Sequence, residues 1–292
     1  MNLDTIEAFL AVTDMGSFSL AAEQLHITQP AISKRIKQLE EQLQSQLFER
    51  GNKQLLLSHA GRQLLPHARA ILLEVKNAKE AIELLNDTVS GPLGIAVSHH
   101  VGLHRLPLIL RRFIQKYPQV DLQLRFLESE KAINELAVNG CDLAFITLPP
   151  VLSDELNLHL KWRDPMRFVC APDHPLSKES QVTMGQLATF QAVLPASTTT
   201  TFQLIKHLFE THALTLKASI PTNDLETIKM MVSVGIGWSV LPETMLDGNV
   251  QQLVTKVNTP YRHLGAVSIK RKKPGKAALA FIEEAQAVWG KD

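Results

Sequence analysis

Apolar residues near the start of the chain recur every three or four places, in three short bursts. Ile6, Phe9, Leu10 and Thr13 share one helical face between Leu3 and Met15, and Gly16-Ser17 closes that segment. A second helix over about Phe18 to Leu25 carries Ala21 and Ala22, small enough for another helix to approach closely. In the third, Ile32, Ile36, Leu39 and Leu43 advance by four, three and four, which predicts one buried stripe. His26-Ile27 alone separates the second and third helices, the tight break of a helix-turn-helix. Thr28 or Gln29 is placed to cap the third helix, and Pro30 fits its first turn, where no N–H is needed.

The polar half of that third helix changes the picture. Pro30, Ser33, Lys34, Lys37 and Glu41 fall opposite the isoleucines, so hydroxyl and ammonium groups face solvent. Such a helix fits a DNA major groove, with lysines on phosphates and short polar side chains near base edges. Gly51-Asn52, between Leu47-Phe48 and Leu55-Leu57, predicts a hairpin with Arg50 and Lys53 at its tip. Residues 1–58 therefore read as a winged helix-turn-helix.

Ser58 then caps a long helix in which Leu64, Ala68, Ile71, Val75, Ala78, Ile82 and Leu85 advance by alternating fours and threes. That is a heptad seam, so residues 59–90 are expected to hold a homodimer together before a hinge at Gly91-Pro92. Two-fold dimers bind pseudo-palindromic half-sites, which agrees with a DNA-reading helix upstream.

Beyond the hinge the period changes. "LGIAVS", "VDLQLRF", "CDLAFITL", "MRFVCA", "FQAVLP", "WSVLP" and "LGAVSIKR" read as strands, with helices such as "HRLPLILRRFIQKY" and "FQLIKHLFETHA" between them. The alternation predicts mainly parallel sheets with a ligand crevice at the strand ends. Two lobes are expected in residues 91–292: lobe I over about 91–161 and 265–292, lobe II over about 162–264. The fold class is thus α/β with an N-terminal all-α winged helix-turn-helix and a long linker helix.

Composition narrows the functions. Over 292 residues the net charge is +1, and the first 90 hold nine basic against eleven acidic residues, which excludes a non-specific nucleic-acid coat. From Gln24 to Arg69, however, seven basic residues face three acidic ones, a footprint suited to docking one helix and its flank on DNA. No apolar run is long enough for a membrane span, and "MNLDTIEAFLAV" lacks the basic start and apolar core of a secretory signal; cytoplasm is the expected location. Cys141 and Cys170 sit in strand-like runs and read as small core residues. His100 and His104 have i, i+4 spacing but no third ligand nearby, so no metal is expected. No nucleophile elbow or phosphate loop is present ("GIGWS" lacks the serine position), so neither an enzyme nor a cofactor is expected.

The runs "FLAVTDMGSFSLAAEQLHITQPAISKRIKQLEEQLQSQLFER", "LSHAGRQLL", "YPQVDLQL", "GCDLAFI", "APDHPLS" and "GIGWSVLPE" resemble LysR-type transcriptional regulators, in the family's order and over nearly the whole chain. Gln44 stands where the family usually has glycine, and Ser58 where threonine is usual. The resemblance implies a homotetramer built as a dimer of dimers, promoter DNA and RNA polymerase as partners, and an effector domain resembling periplasmic solute-binding proteins. It maps the recognition helix to Gln29 through about Leu43. Ser33 and Gln29 then go to base edges; Thr28, Lys34 and Lys37 to base or phosphate; Arg50 and Lys53 to phosphate or minor groove.

If the lobes form, Ser98, His99 and His100 after the first strand, Ser129 within "ESE" after the second, and Thr147 after the third should meet the loop Thr198, Thr199, Thr200, Thr201 and Phe202. A hydroxyl-rich loop feeding a helix N-terminus suits a carboxylate or other small anion. His99 or His100 is a candidate proton-dependent donor to it. A solute-binding protein without a regulatory role is the alternative, but it explains only the second half of the chain.

Overall fold

The computed structural model describes residues 1–49, 55–83, 88–219 and 222–289, with 76, 77, 79–81 and 83 described by backbone alone. The chain forms two compact units, Met1–Asp87 and Thr88–Asp292.

In the first unit, α1 (Leu3–Met15), α2 (Phe18–Gln24) and α3 (Gln29–Leu43) precede a long α4 (His59–Glu83). Asn2 and Ser17 cap α1 and α2 with their side chains, and Gly16 turns the chain between them at φ 62°. Thr28 occupies the cap position of α3 without a side-chain bond, and Pro30 takes the first turn. Ile32, Ile36 and Leu39 pack with Phe9, Ala21 and Phe48 in one core. Leu43, expected in that stripe, is exposed because the helix ends there. Gln44 follows it in the left-handed conformation, φ 49°, which explains why glycine suits this position. Ser58 accepts from Gly61 N–H at 3.0 Å and donates to the Gln46 carbonyl at 2.6 Å. A Cβ on Gly61 would lie 2.2 Å from the Leu47 carbonyl oxygen, so α4 starts hard against the wing strand. The flanks of the expected hairpin pair at Phe48 and Leu57; its turn lies outside the described residues.

The heptad reading of α4 needs correcting in its first half. Ala68 is fully buried in the unit's own core, and Leu64 and Ile71 pack against it. Val75 is half-buried, Ala78 and Ile82 are exposed, and Leu85 lies outside the described residues. The stripe therefore serves the unit's own core first and becomes free only toward its C-terminal end.

In the second unit β1 (Gly91–Val97), α5 (His99–His104), α6 (Pro107–Lys116), β2 (Val120–Phe126), α7 (Ser129–Ala137) and β3 (Leu143–Thr147) lead into a long β4 (Leu156–Cys170). Then come α8 (Met184–Thr189), β5 (Ala192–Val193), α9 (Thr200–Thr211), β6 (Ala218–Ser219), α10 (Leu225–Ser233), β7 (Ser239–Pro242), β8 (Gln251–Gln252), β9 (Tyr261–Ile269) and α11 (Lys276–Trp289). The main sheet runs β2-β1-β3-β9-β4-β7, with β8 also on β4. β4 pairs with β9 as far as Pro165 and with β7 from Met166, so one strand serves both lobes.

Several expectations shift. Gly91-Pro92 is not a break but the start of β1, paired with Val120 and Asp121 of β2. The sheets are not mainly parallel: β1 is parallel to β2 and β3, whereas β9 and β4 run antiparallel to their neighbours. The helix expected from His104 to Tyr117 is two, and His104 ends α5 rather than opening the next. Leu93, Ile95, Phe113, Phe145 and Phe281 fill lobe I, and Phe168, Phe209 and Trp238 fill lobe II.

Candidate functional site

On α3, Gln29, Pro30, Lys34 and Lys37 are exposed and Ser33 is half-exposed, so the polar face stands free of the core. The Gln29 amide donates to Ser33 Oγ at 3.1 Å, which couples the two. Lys37 reaches Glu41 at 3.7 Å, an exposed pair worth little. The charge footprint is smaller than the sequence count. Arg35, Arg62 and Arg69 are held by Asp4, Glu49 and Asp14. Arg50 and Lys53 lie outside the described residues.

Within the second unit a cavity of about 290 Å³ opens between the lobes. Eight of the ten expected residues line it: Ser98, His99, His100, Ser129, Thr147, Thr199, Thr200 and Thr201. Thr198 and Phe202 do not. Thr198 is exposed in the turn before α9, and Phe202 packs in the lobe II core on the same helical face as Ile205 and Phe209. Thr199 is also the cap of α9, accepting from Phe202 N–H at 3.3 Å. Ser129 Oγ accepts from Thr147 N–H at 3.1 Å.

The floor carries a cluster that sequence reasoning missed. Arg262 on β9 is buried; its Nε donates to Asp164 Oδ2 at 2.9 Å and its Nη1 to Thr201 Oγ1 at 3.1 Å. Arg105 reaches the other Asp164 oxygen at 3.3 Å. Burial alone would raise the Asp164 carboxyl, but His100 and Arg262 beside it more than offset this and hold it at about 2. Burial lowers the Arg262 pKa, yet a guanidinium stays protonated in proteins. Two guanidiniums on one carboxylate leave a net positive charge. Arg262 Nη2 and Ser98 Oγ are buried without a hydrogen-bond partner among the described residues, each costly unless something accepts from it.

Both ring nitrogens of His100 are likewise buried without a hydrogen-bond partner among the described residues. Burial lowers the His100 pKa more than the Asp164 carboxylate, 3.6 Å from its Nε2, raises it. The permanent cation of the floor is Arg262.

The opposite rim is acidic and ties the lobes together. Glu128, Glu130 and Asp224 line it with Thr222 and Asn223. Asn223 of lobe II donates to Glu128 of lobe I at 2.6 Å, and that bond together with Lys131 holds the Glu128 carboxyl below its usual range. His104 of lobe I meets Glu226 of lobe II at 2.7 Å. Cys141 and Cys170 are buried, and burial pushes their thiols up to about 12 and about 11, which leaves both unreactive.

A helix-turn-helix with an open polar face, joined in one chain to a two-lobed α/β unit with a polar cleft, is the architecture of a DNA-binding protein that carries a ligand-binding domain. The comparisons make the class particular. The family model described as LysR substrate binding domain matches residues 86–290, and that of the bacterial regulatory helix-turn-helix protein, lysR family, matches residues 3–62. The HTH-type transcriptional regulator CfxR of Cupriavidus necator is 32% identical over 97% of this chain and 92% of its own. The RuBisCO operon transcriptional regulator of Allochromatium vinosum is 30% identical over 87% of this chain and 84% of its own. Among solved structures, a full-length OxyR from Pseudomonas aeruginosa superposes with a TM-score of 0.76 at 20% identity, covering 99% of this chain and 96% of that one. Full-length CbnR complexed with its target DNA gives 0.67 at 18% identity, covering 99% and 100%. The chain belongs to the LysR family of transcriptional regulators, with a helix-turn-helix DNA-binding domain and an effector-binding domain. Its relatives are regulators rather than solute-binding proteins.

Proposed function

We propose that α3 reads promoter DNA and that a small anion bearing hydrogen-bond donors gates this from the interlobe cleft. Gln29 and Ser33 address base edges; Thr28, Pro30, Lys34 and Lys37 fix the helix on the backbone, with Arg50 and Lys53 adding phosphate contacts. The observation that carries the gating is the set of unpartnered polar atoms on the cleft's cationic floor, Arg262 Nη2, Ser98 Oγ and the two ring nitrogens of His100, of which the first two are donors that an anionic oxygen can meet. Hydroxyl or ammonium groups on the same ligand then suit Glu128, Glu130 and Asp224 opposite. The cavity equals about ten water volumes, so the ligand has on the order of ten heavy atoms.

Dimers form through the free end of α4, with Val75, Ala78 and Ile82 facing a partner copy, and pair into tetramers. The protein works in the cytoplasm without catalytic activity, and its DNA-bound form contacts RNA polymerase. Among the described residues no helix is long and apolar enough to cross a membrane. Gel shifts on the DNA upstream of the gene, with and without a panel of hydroxy and amino acids, test the reading. No retarded band at low salt removes the DNA assignment; a band indifferent to every ligand that binds removes the gating.

A further inference from the structure

A second cavity lies on the other side of Arg262. It measures about 630 Å³, within the range of small-molecule sites, and is walled by Leu148, Leu152 and Leu158 of lobe I, Leu204 and Leu208 of α9, and Tyr261. The α9 residues explain why it is apolar. Phe202, Ile205 and Phe209 serve the lobe II core, while Thr200, Leu204, His207, Leu208 and Thr211 form a separate face at steps of four, three, one and three. Leu208 also packs at the edge of the lobe II core, so Leu204 is the apolar residue that α9 gives to this cavity alone.

The polar lining has one sign. Lys161, His207, Arg262 and His263 line the cavity, and no Asp or Glu does. Arg163 stacks on the Tyr261 ring at 4.0 Å, placing another cation at the edge. Burial and the neighbouring Lys161 and Arg163 lower the His263 pKa, as a local excess of positive charge must. The charge of Arg262 is met by Asp164, so the cations that face this cavity are Lys161 and, at its edge, Arg163; apolar walls beside them suit a ligand with a hydrocarbon body and a single carboxylate.

We propose that this groove is a second ligand site, distinct from the interlobe cleft, for a small amphipathic carboxylic acid, aliphatic or aromatic. Thr200 and Arg262 line both cavities, so occupancy of one changes affinity at the other, and the coupling is reciprocal.

The experiment is calorimetry on the full chain with hexanoate and benzoate, and with hexanamide as the neutral comparator. Leu158 lines only the groove and is 42% exposed, so Leu158→Glu adds a like charge where the fold tolerates it. Both acids bind the wild type, hexanamide binds about tenfold more weakly or less, and Leu158→Glu weakens the acids by about tenfold or more. Ser98→Ala, which alters only the interlobe cleft, leaves them unchanged. Leu204→Trp, which fills the groove from α9, repeats the loss should Leu158→Glu fail to fold. Absence of acid binding by the wild type overturns the proposal. So do acid affinities unchanged in a folded groove variant, or lost in Ser98→Ala. A change of oligomer size in Leu158→Glu by light scattering also overturns it, since the groove would then be a surface for a second copy.

Discussion

Asp164 and Arg262 stand directly opposite each other on β4 and β9 and are joined by a 2.9 Å ion pair with almost no access to water. Asp164→Ala leaves a buried guanidinium pair without its counter-charge and should cost about 3–5 kcal/mol of stability, read by urea unfolding at neutral pH. The pH dependence has a definite sign. The folded pKa of Asp164, about 2, lies below its ordinary 3.8, so its charge stabilises the fold above that value by about 2 kcal/mol. The gap between wild type and Asp164→Asn is therefore full at pH 7, narrows below about pH 4 and closes toward pH 2. A gap independent of pH would show that the carboxylate is not held charged.

The hydrogen bond between Gln29 and Ser33 makes their effects on DNA non-additive. Either single replacement by alanine should relax sequence preference, and the double variant should lose less than the sum. Lys34→Ala and Lys37→Ala should weaken binding to all sequences and reduce the salt slope by about one each. Fluorescence anisotropy over a salt series reads both quantities; unchanged slopes would place the lysines off the DNA.

Along α4 two substitutions of the same kind should behave differently. Ile82 is 68% exposed and Ala68 is 0% exposed in the single chain. Ile82→Asp should split dimers, seen by light scattering, while circular dichroism stays unchanged. Ala68→Asp should unfold the first unit, because it buries an unpaired carboxylate. Intact oligomers in Ile82→Asp would remove α4 as the dimer contact.

Ser98 Oγ has no partner to lose, so Ser98→Ala should leave the melting temperature in place and lower cleft-ligand affinity by roughly two- to tenfold. Thr199→Ala differs: it removes the α9 cap and should cost about 1 kcal/mol of stability before any ligand is considered. Differential scanning calorimetry with a ligand titration on each variant separates capping from binding.

Gln44→Gly should stabilise the first unit by about 0.5–1 kcal/mol, since glycine adopts φ 49° without strain. A lower melting temperature in that variant would mean that the Gln44 side chain matters more than its backbone.

What the sequence made legible follows from locality. α3 is bounded by Pro30 and by the last of its core isoleucine–leucine stripe, and the cleft hydroxyls sit at strand ends and helix starts, features that neighbours in sequence decide. The errors share the opposite cause. Gly91-Pro92 punctuates a loop and a strand edge alike, and only the partner Val120 distinguishes them. A seven-residue period looks the same whether it faces a second chain or the unit's own core, and Leu64 and Ala68 took the nearer choice. Arg262 looks like an ordinary strand-edge arginine in "PYRHLG". Its role depends on register with a carboxylate 98 residues earlier, and no local pattern encodes that register.

The described residues between Pro165 of β4 and Tyr261 of β9, which pair with each other, belong to lobe II as one stretch of chain. Genetically it is a cassette with two adjacent splice points on a paired ribbon. Recombination there exchanges half of the cleft lining, including the threonine loop and Asp224, and leaves α3 and the lobe I half untouched. Under the proposed gating, such an exchange changes the ligand answered to and leaves the operator read by α3 as it was.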